Sequence, residues 1–391
     1  MIRTRRAAAA AAAAATAGAA LTLTAGVLSA GEARAAAQLE LVPVDGTPRT
    51  LLARTGAADT AFGQLGWSPD GASITLLRGA DHEWDQVQAA VLRQPVAGGP
   101  STLLRSLAQS GGGRLSPDGR TIAELPYRTA AGRIRPLVVR DVATGAVRAR
   151  VRPVEPPQTG PIFVTGAGPG LCWSPDGRLL SIVERHRRGE RATTRVLDVA
   201  AGRTILTRRV GGWSSGDDGC FAPGGRVMVA RRSLRGQAVR MLDLVTGAES
   251  AVPDAGRDVD GAPAWAPDGR RLAYPSGEGI AVVDAATGRG PTLPIVPSGP
   301  PESPVAHAVR ALSWSPDGRT LAVVYDESDG AFGDEDVRRG PGLYVLPADG
   351  SAPPRELVRA STRSALTGMA WSPDGTRIAL ASVRDAAVPG S

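Results

Sequence analysis

The pentapeptide Trp67-Ser68-Pro69-Asp70-Gly71 returns along the whole chain, and no other feature constrains the fold so tightly. Its other copies are Leu115-Ser116-Pro117-Asp118-Gly119, Trp173-Ser174-Pro175-Asp176-Gly177, Phe221-Ala222-Pro223-Gly224-Gly225, Trp265-Ala266-Pro267-Asp268-Gly269, Trp314-Ser315-Pro316-Asp317-Gly318 and Trp371-Ser372-Pro373-Asp374-Gly375. The prolines are 48, 58, 48, 44, 49 and 57 residues apart. A fixed period of this length marks a repeat architecture, in which each unit is one supersecondary motif. Pro sets φ at the first central position of a turn, Asp tolerates the second, and Gly supplies the positive φ that closes it. A short apolar run follows each motif, as in Ser73–Leu77, Leu179–Val183 and Leu321–Tyr325. A second turn then recurs at Asp141…Thr144-Gly145, Asp198…Gly202, Asp243…Thr246-Gly247 and Asp284…Thr287-Gly288, with a looser version at Asp349-Gly350.

Four strands per period make one blade of a β-propeller. A lone four-stranded sheet leaves a face unburied, whereas seven stacked radially bury both, with the repeated Trp packed between neighbours. The expected fold class is therefore all-β, a seven-bladed β-propeller of four-stranded blades. The ends predict closure. One strand follows Trp371 before Ser391, while Leu39–Val44 and Thr50–Ala53 supply a third and fourth strand at the other end. N-terminal strands completing the last blade would hide two sheet edges.

The first 35 residues stand outside this pattern. Arg3, Arg5 and Arg6 form a basic start, Ala7 to Gly31 is uncharged, and Ala33-Arg34-Ala35 is an A-x-A cleavage site. The segment reads as an export signal, cleaved or retained as an N-terminal anchor, with Sec and Tat routes both open. The reading is thus residues 1–35 as signal and 36–391 as one extracytoplasmic propeller, secreted or held at the envelope, with no further apolar span. Net charge is +7 and falls to +4 without residues 1–35, and every basic residue is Arg. So small a charge on so long a chain does not argue for nucleic acid, since the Trp residues that would stack on bases belong to the repeat.

The Ser-Pro-Asp-Gly repeats, with Trp before and Asp-x-x-Thr-Gly after, resemble the TolB-like family of WD-repeat-like propellers over roughly residues 39–385. The resemblance implies a protein-interaction platform in the cell envelope; related propellers also cap serine peptidases. The chain departs from TolB in having seven repeats rather than six and no α/β domain before them.

Chemistry-bearing candidates are few. Gly212-Trp213-Ser214-Ser215-Gly216 has the G-x-S-x-G pattern, but that pattern needs a strand-to-helix turn, and the repeats place it between blades. His82, His186 and His307 lie in different blades without metal spacing. The connection between the second and third strands of the sixth blade holds Asp326, Glu327, Asp329, Asp334, Glu335 and Asp336. It is oxygen-rich enough for Ca2+, yet it lacks the spacing of a known calcium loop, and the reading assigns no cofactor. The same connection of the first blade carries Asp81, Glu83 and Asp85. In blades two to four it is basic: Arg128 and Arg133; Arg185, Arg187, Arg188 and Arg191; Arg231, Arg232 and Arg235. An acidic sector then opposes a basic one on one face, a field that would orient a protein or an anionic envelope polymer. Cys172 and Cys220 occupy the same position in adjacent repeats and form a candidate disulfide in an oxidising compartment, although equivalent positions in adjacent blades tend to point the same way. The favoured function is a monomeric, non-enzymatic binding platform. The alternative is a lyase, lactonase or glycan-active enzyme with a site at the central channel.

Overall fold

The structure is a computed structural model. It describes residues 36–55, 60–80, 89–107, 113–125, 127–128, 134–152, 170–185, 191–211, 213–214, 221–223, 226–233, 236–252, 263–276, 279–295, 309–325, 340–361 and 364–384. Among them the strands assemble into seven four-stranded antiparallel sheets and one two-stranded ribbon, with no helix.

Blade 1 runs Thr60–Trp67, Ser73–Ala80, Ala90–Pro95 and Thr102–Ser106, each strand pairing with the next. Blade 2 is Gly113–Leu115, Thr121–Glu124, Leu137–Asp141 and Val147–Val151. Blade 3 is Gly170–Trp173, Leu179–Arg185, Arg191–Asp198 and Arg203–Gly211. Blade 4 is Trp213–Ser214, Arg226–Ser233, Gly236–Asp243 and Glu249–Ala251. Blade 5 is Ala264–Trp265, Arg271–Ser276, Gly279–Asp284 and Thr292–Leu293. Blade 6 is Val309–Trp314, Thr320–Tyr325, Gly342–Pro347 and Arg355–Arg359. Blade 7 joins the two ends of the described chain. Ser364–Trp371 and Arg377–Arg384 are its first two strands, and Ala36–Pro43 and Thr50–Arg54 its outer two. The closing ladder is regular, from Ala36 opposite Arg384 to Pro43 opposite Arg377.

The motif makes its turn as its chemistry dictates. In blade 1 the Gly71 amide donates to the Ser68 carbonyl at 2.9 Å, with Gly71 at φ 67°. The Ser68 hydroxyl donates to Asp70 at 2.6 Å, and the same carboxylate accepts the Ala72 amide at 3.0 Å. An L-residue at that glycine would be strained, and one without a short acceptor at the aspartate would leave the Ala72 amide unpaired.

Apolar side chains collect between blades rather than within them. Seven buried clusters occur, one at each successive pair of blades. Strand alternation produces this: Leu321, Val323 and Tyr325 face blade 5, whereas Ala322 and Val324 face blade 7. The cluster at the closure joins Ala37, Leu39 and Leu41 of blade 7 to Phe62, Trp67, Ile74 and Leu76 of blade 1. A cluster at that junction is what a closed ring requires and an open array would lack.

Candidate interaction face

In a meander blade the connections alternate between two ends. The motif turns and the Asp-Gly turns share one end, so the connections from second to third strand emerge at the other. The basic sector anticipated from the sequence is built there on hairpin stems that outlast their sheets. In blade 2 the connection becomes a ribbon, with Ile134 opposite Arg128 and Arg135 opposite Tyr127. In blade 3 the second and third strands continue to Arg185, opposite Ala192, and begin at Arg191. In blade 4 the ladder runs to Arg231 opposite Ala238, Arg232 opposite Gln237 and Ser233 opposite Gly236.

These arginines were expected in loops, and the structure places Arg128, Arg185, Arg191, Arg231 and Arg232 in paired strands. The reason is local: Thr193, Thr194 and Val229 favour extended backbone and carry the pairing outward. Arg187 and Arg188 lie outside the described residues, as do Arg133 and Arg235. So do Asp326, Asp329, Asp334 and Asp336, with the other acids of that connection and of its blade 1 counterpart.

What the structure does describe is the base of the blade 6 connection. Tyr325 ends the second strand and meets Tyr344 edge to face, ring centroids 6.4 Å apart. The Arg359 guanidinium lies 5.5 Å from the Tyr344 ring centroid, donates to the Gly340 carbonyl at 3.0 Å and is paired with Glu356 at 2.5 Å. The acidic connection therefore leaves from a fixed frame, because the aromatic pair and the arginine hold both of its roots.

The inner strands line the central channel. Three of them carry β-bulges, at Gln64, Arg310 and Thr367, in the consecutive blades 1, 6 and 7. A bulge re-aims a side chain and is frequent near active sites. Here two of the three serve the wall. Gln64, at φ 45°, donates to the Gly113 carbonyl at 2.8 Å and accepts the Leu115 amide at 2.9 Å, while Thr367 donates to the Phe62 carbonyl. Among the described residues no group of His, Cys, Asp and Glu has a metal-binding arrangement. His82, His186 and His307 lie outside them. The Gly-x-Ser-x-Gly segment proves to contain a strand: Trp213 and Ser214 pair with Arg231 and Ala230, so Ser214 does not sit on a nucleophile elbow.

The sequence reading missed the polar bonds that join blades. Trp67 Nε1 donates to the Ala370 carbonyl at 3.0 Å, Trp173 to Arg114 at 3.1 Å, Trp314 to Ala264 at 2.9 Å and Trp371 to Ser313 at 3.4 Å. The acceptor in each case is the residue just before the aromatic of the preceding blade. Arg271 and Arg377 also cross the junctions, their guanidiniums 5.0 Å from the Trp314 ring and 5.8 Å from the Trp67 ring. The spacing of the motif carried this information, since each arginine stands six residues after its own Trp.

The likenesses of the chain agree with this architecture. Residues 301–331 match the WD domain, G-beta repeat. It is a WD-repeat-like β-propeller. No curated protein matches the sequence. Among solved structures, an oligogalacturonate lyase in complex with manganese is 15% identical, with a TM-score of 0.57 over 88% of this chain and 95% of that one. The propeller domain of the trilobed protease of Pyrococcus furiosus, described as having an open velcro topology, is 14% identical, with a TM-score of 0.50 over 79% and 88% of the two chains. A TolB from Agrobacterium tumefaciens is 16% identical, with a TM-score of 0.48 over 89% and 98%. At such identities the likeness concerns the fold alone. No helix among the described residues is long and apolar enough to cross a membrane.

Proposed function

We propose that this propeller is an exported binding platform that docks an anionic partner, a protein or an envelope polymer, through the face carrying the hairpin stems of blades 2, 3 and 4. One observation carries the reading. Three consecutive blades extend their second and third strands at the same end, and each extension bears arginine: Arg128 and Arg135, Arg185 and Arg191, Arg231 and Arg232. Paired strands hold a charge more firmly than a free loop, so the ordering cost on binding is reduced. Repeated arginine over adjacent blades raises the rate of encounter with an anionic partner and fixes its orientation. The acids of blades 1 and 6 would repel such a partner from the opposite sector and so set its register. The enzyme alternative has less behind it, because Gln64 and Thr367, the polar side chains at two inner-strand bulges, are spent on neighbouring backbone.

The test is capture from envelope and culture fractions with the chain lacking residues 1–35 as bait, followed by charge reversal. A partner released by raised salt, and lost when Arg185 and Arg191 become Glu, supports the proposal. A partner whose binding ignores both changes refutes it. Capture of nothing, with turnover of an acidic glycan or a lactone by the same preparation, would replace it with the channel enzyme.

A further inference from the structure

The indole bonds form a series with a rule: the aromatic of one blade donates to the carbonyl of the residue preceding the aromatic of the blade before. Junctions 7–1, 2–3, 5–6 and 6–7 obey it. At two junctions the rule cannot operate, because Leu115 of blade 2 and Phe221 of blade 4 have no donor. Junction 1–2 has a substitute in the Gln64 side chain, which bridges to the backbone on both sides of Arg114. Junction 3–4 would need one at Cys172, whose carbonyl is the acceptor left over. Cys172 is disulfide-bonded. It is 1% exposed and shares a buried cluster with Leu179 and Val196 of blade 3 and with Phe221 and Leu242 of blade 4. The chain's other cysteine, Cys220, lies outside the described residues and directly precedes Phe221.

We infer that a Cys172–Cys220 disulfide is the tether of junction 3–4, a covalent replacement for the indole bond that Phe221 cannot make. Two facts place it there. Alternation along Gly170–Trp173 sends Trp173 to blade 2 and Cys172 to blade 4, so the thiol faces the neighbour that lacks a donor. Blade 4 also needs a tether most. Its motif has lost Trp, Ser and Asp together, and its inner and outer strands have two and three residues. The series then resumes. Trp265 of blade 5 is buried, and its Nε1 has no partner among the described residues. By the rule its acceptor is the Cys220 carbonyl, so residue 220 ties blade 4 to both neighbours. Forming the disulfide removes two electrons and two protons from the thiols. A protein or low-molecular-weight disulfide takes them up and leaves as two thiols, a reaction suited to an oxidising compartment.

Two measurements test this. Peptide mapping without reductant should give one linked pair containing residues 172 and 220; alkylation of both thiols in the untreated protein would overturn the pairing. Hydrogen exchange should then be compared among the oxidised chain, Cys172→Ser/Cys220→Ser, and that double variant with Phe221→Trp. The serine variant should exchange the amides of Arg226–Ser233 and Gly236–Asp243 roughly tenfold faster, with those of Arg377–Arg384 unchanged, and the added Trp should recover much of the loss. Should the serine variant not fold, reductant added to the folded chain provides the same reading. Equal acceleration in all blades, or none, would overturn the tether, and failure of Trp to restore protection would overturn its equivalence to the indole bond.

Discussion

A buried indole illustrates how one atom can be judged from its relatives. Trp314 and Trp265 hold the same place in adjacent repeats and are similarly buried, at 6% and 8% exposure. Trp314 Nε1 reaches the Ala264 carbonyl at 2.9 Å. Phe in place of Trp314 removes that bond and should cost about 1–3 kcal/mol, the range for a buried polar group losing its partner. If Trp265 donates to residue 220, Trp265→Phe should cost a similar amount in urea unfolding. If its nitrogen is unpaired, the same substitution removes an unsatisfied donor and should be neutral or stabilising. A neutral Trp265→Phe would therefore end the series at blade 4. At this scale the sequence was only partly readable. That the Trp residues are core was legible from their spacing, but which atom they bond to was not, because the acceptors are backbone carbonyls and carry no residue signature. Gln64 was invisible for a related reason: its role depends on a bulge and a positive φ that no local pattern announces.

The turn is the element the sequence declared best, and its aspartates make it sensitive to acid. Asp374 accepts the Ser372 hydroxyl at 2.5 Å and the Thr376 amide at 3.0 Å, which hold its pKa down to about 2 from 3.8. Asp141 is lowered to about 2 by the Thr144 amide and the Arg148 side chain. Asp176 and Asp317 are lowered as well, chiefly by the hydroxyls of Ser174 and Ser315. Groups depressed in the folded state stabilise it above their unfolded pKa, and this contribution is lost as pH falls through the folded value. Stability should therefore be flat above about pH 5 and decline between about pH 4 and 2. Asp374→Asn keeps the turn's shape and removes one titrating group, so its decline should be shallower than that of the parent chain. Thermal unfolding across this range checks it, and a steeper decline in the variant would contradict the assignment. The hairpin stems were less legible than the turns. Arg185 and Arg232 look like loop residues because charge is their dominant signal, whereas pairing with Ala192 and Gln237 depends on a partner strand the sequence does not identify.

Closure is a property of the whole molecule, and it rests on its most distant segments. Ala36–Pro43 pairs along its full length with Arg377–Arg384, and Ala37, Leu39, Leu41 and Val42 are buried in the two junctions that flank blade 7. Each Leu or Val so buried contributes roughly 1.5–3 kcal/mol. Removing residues 36–54 thus takes away several kcal/mol, comparable to the 5–15 kcal/mol by which a native domain is stable. It also bares the edge of Arg377–Arg384, an apolar strand able to pair with a second chain. The truncated propeller should lose cooperative unfolding and associate, and the synthetic segment 36–54 added in trans should restore both the melt and the monomer by strand addition. Calorimetry and sedimentation would read the two effects separately. An open array would behave otherwise, because its terminal blades contribute little to those in the middle and the truncated chain would melt almost as the full one does. The closing strand begins at Ala36, next to the expected cleavage site after Ala35. Joining two segments more than three hundred residues apart carries a loop-closure cost that must be met before the ladder can repay it, so the ring should be the last feature to form. Addition of the segment to pre-folded truncated chain should accordingly restore stability faster than refolding of the intact chain from urea, and equal rates would place closure early instead.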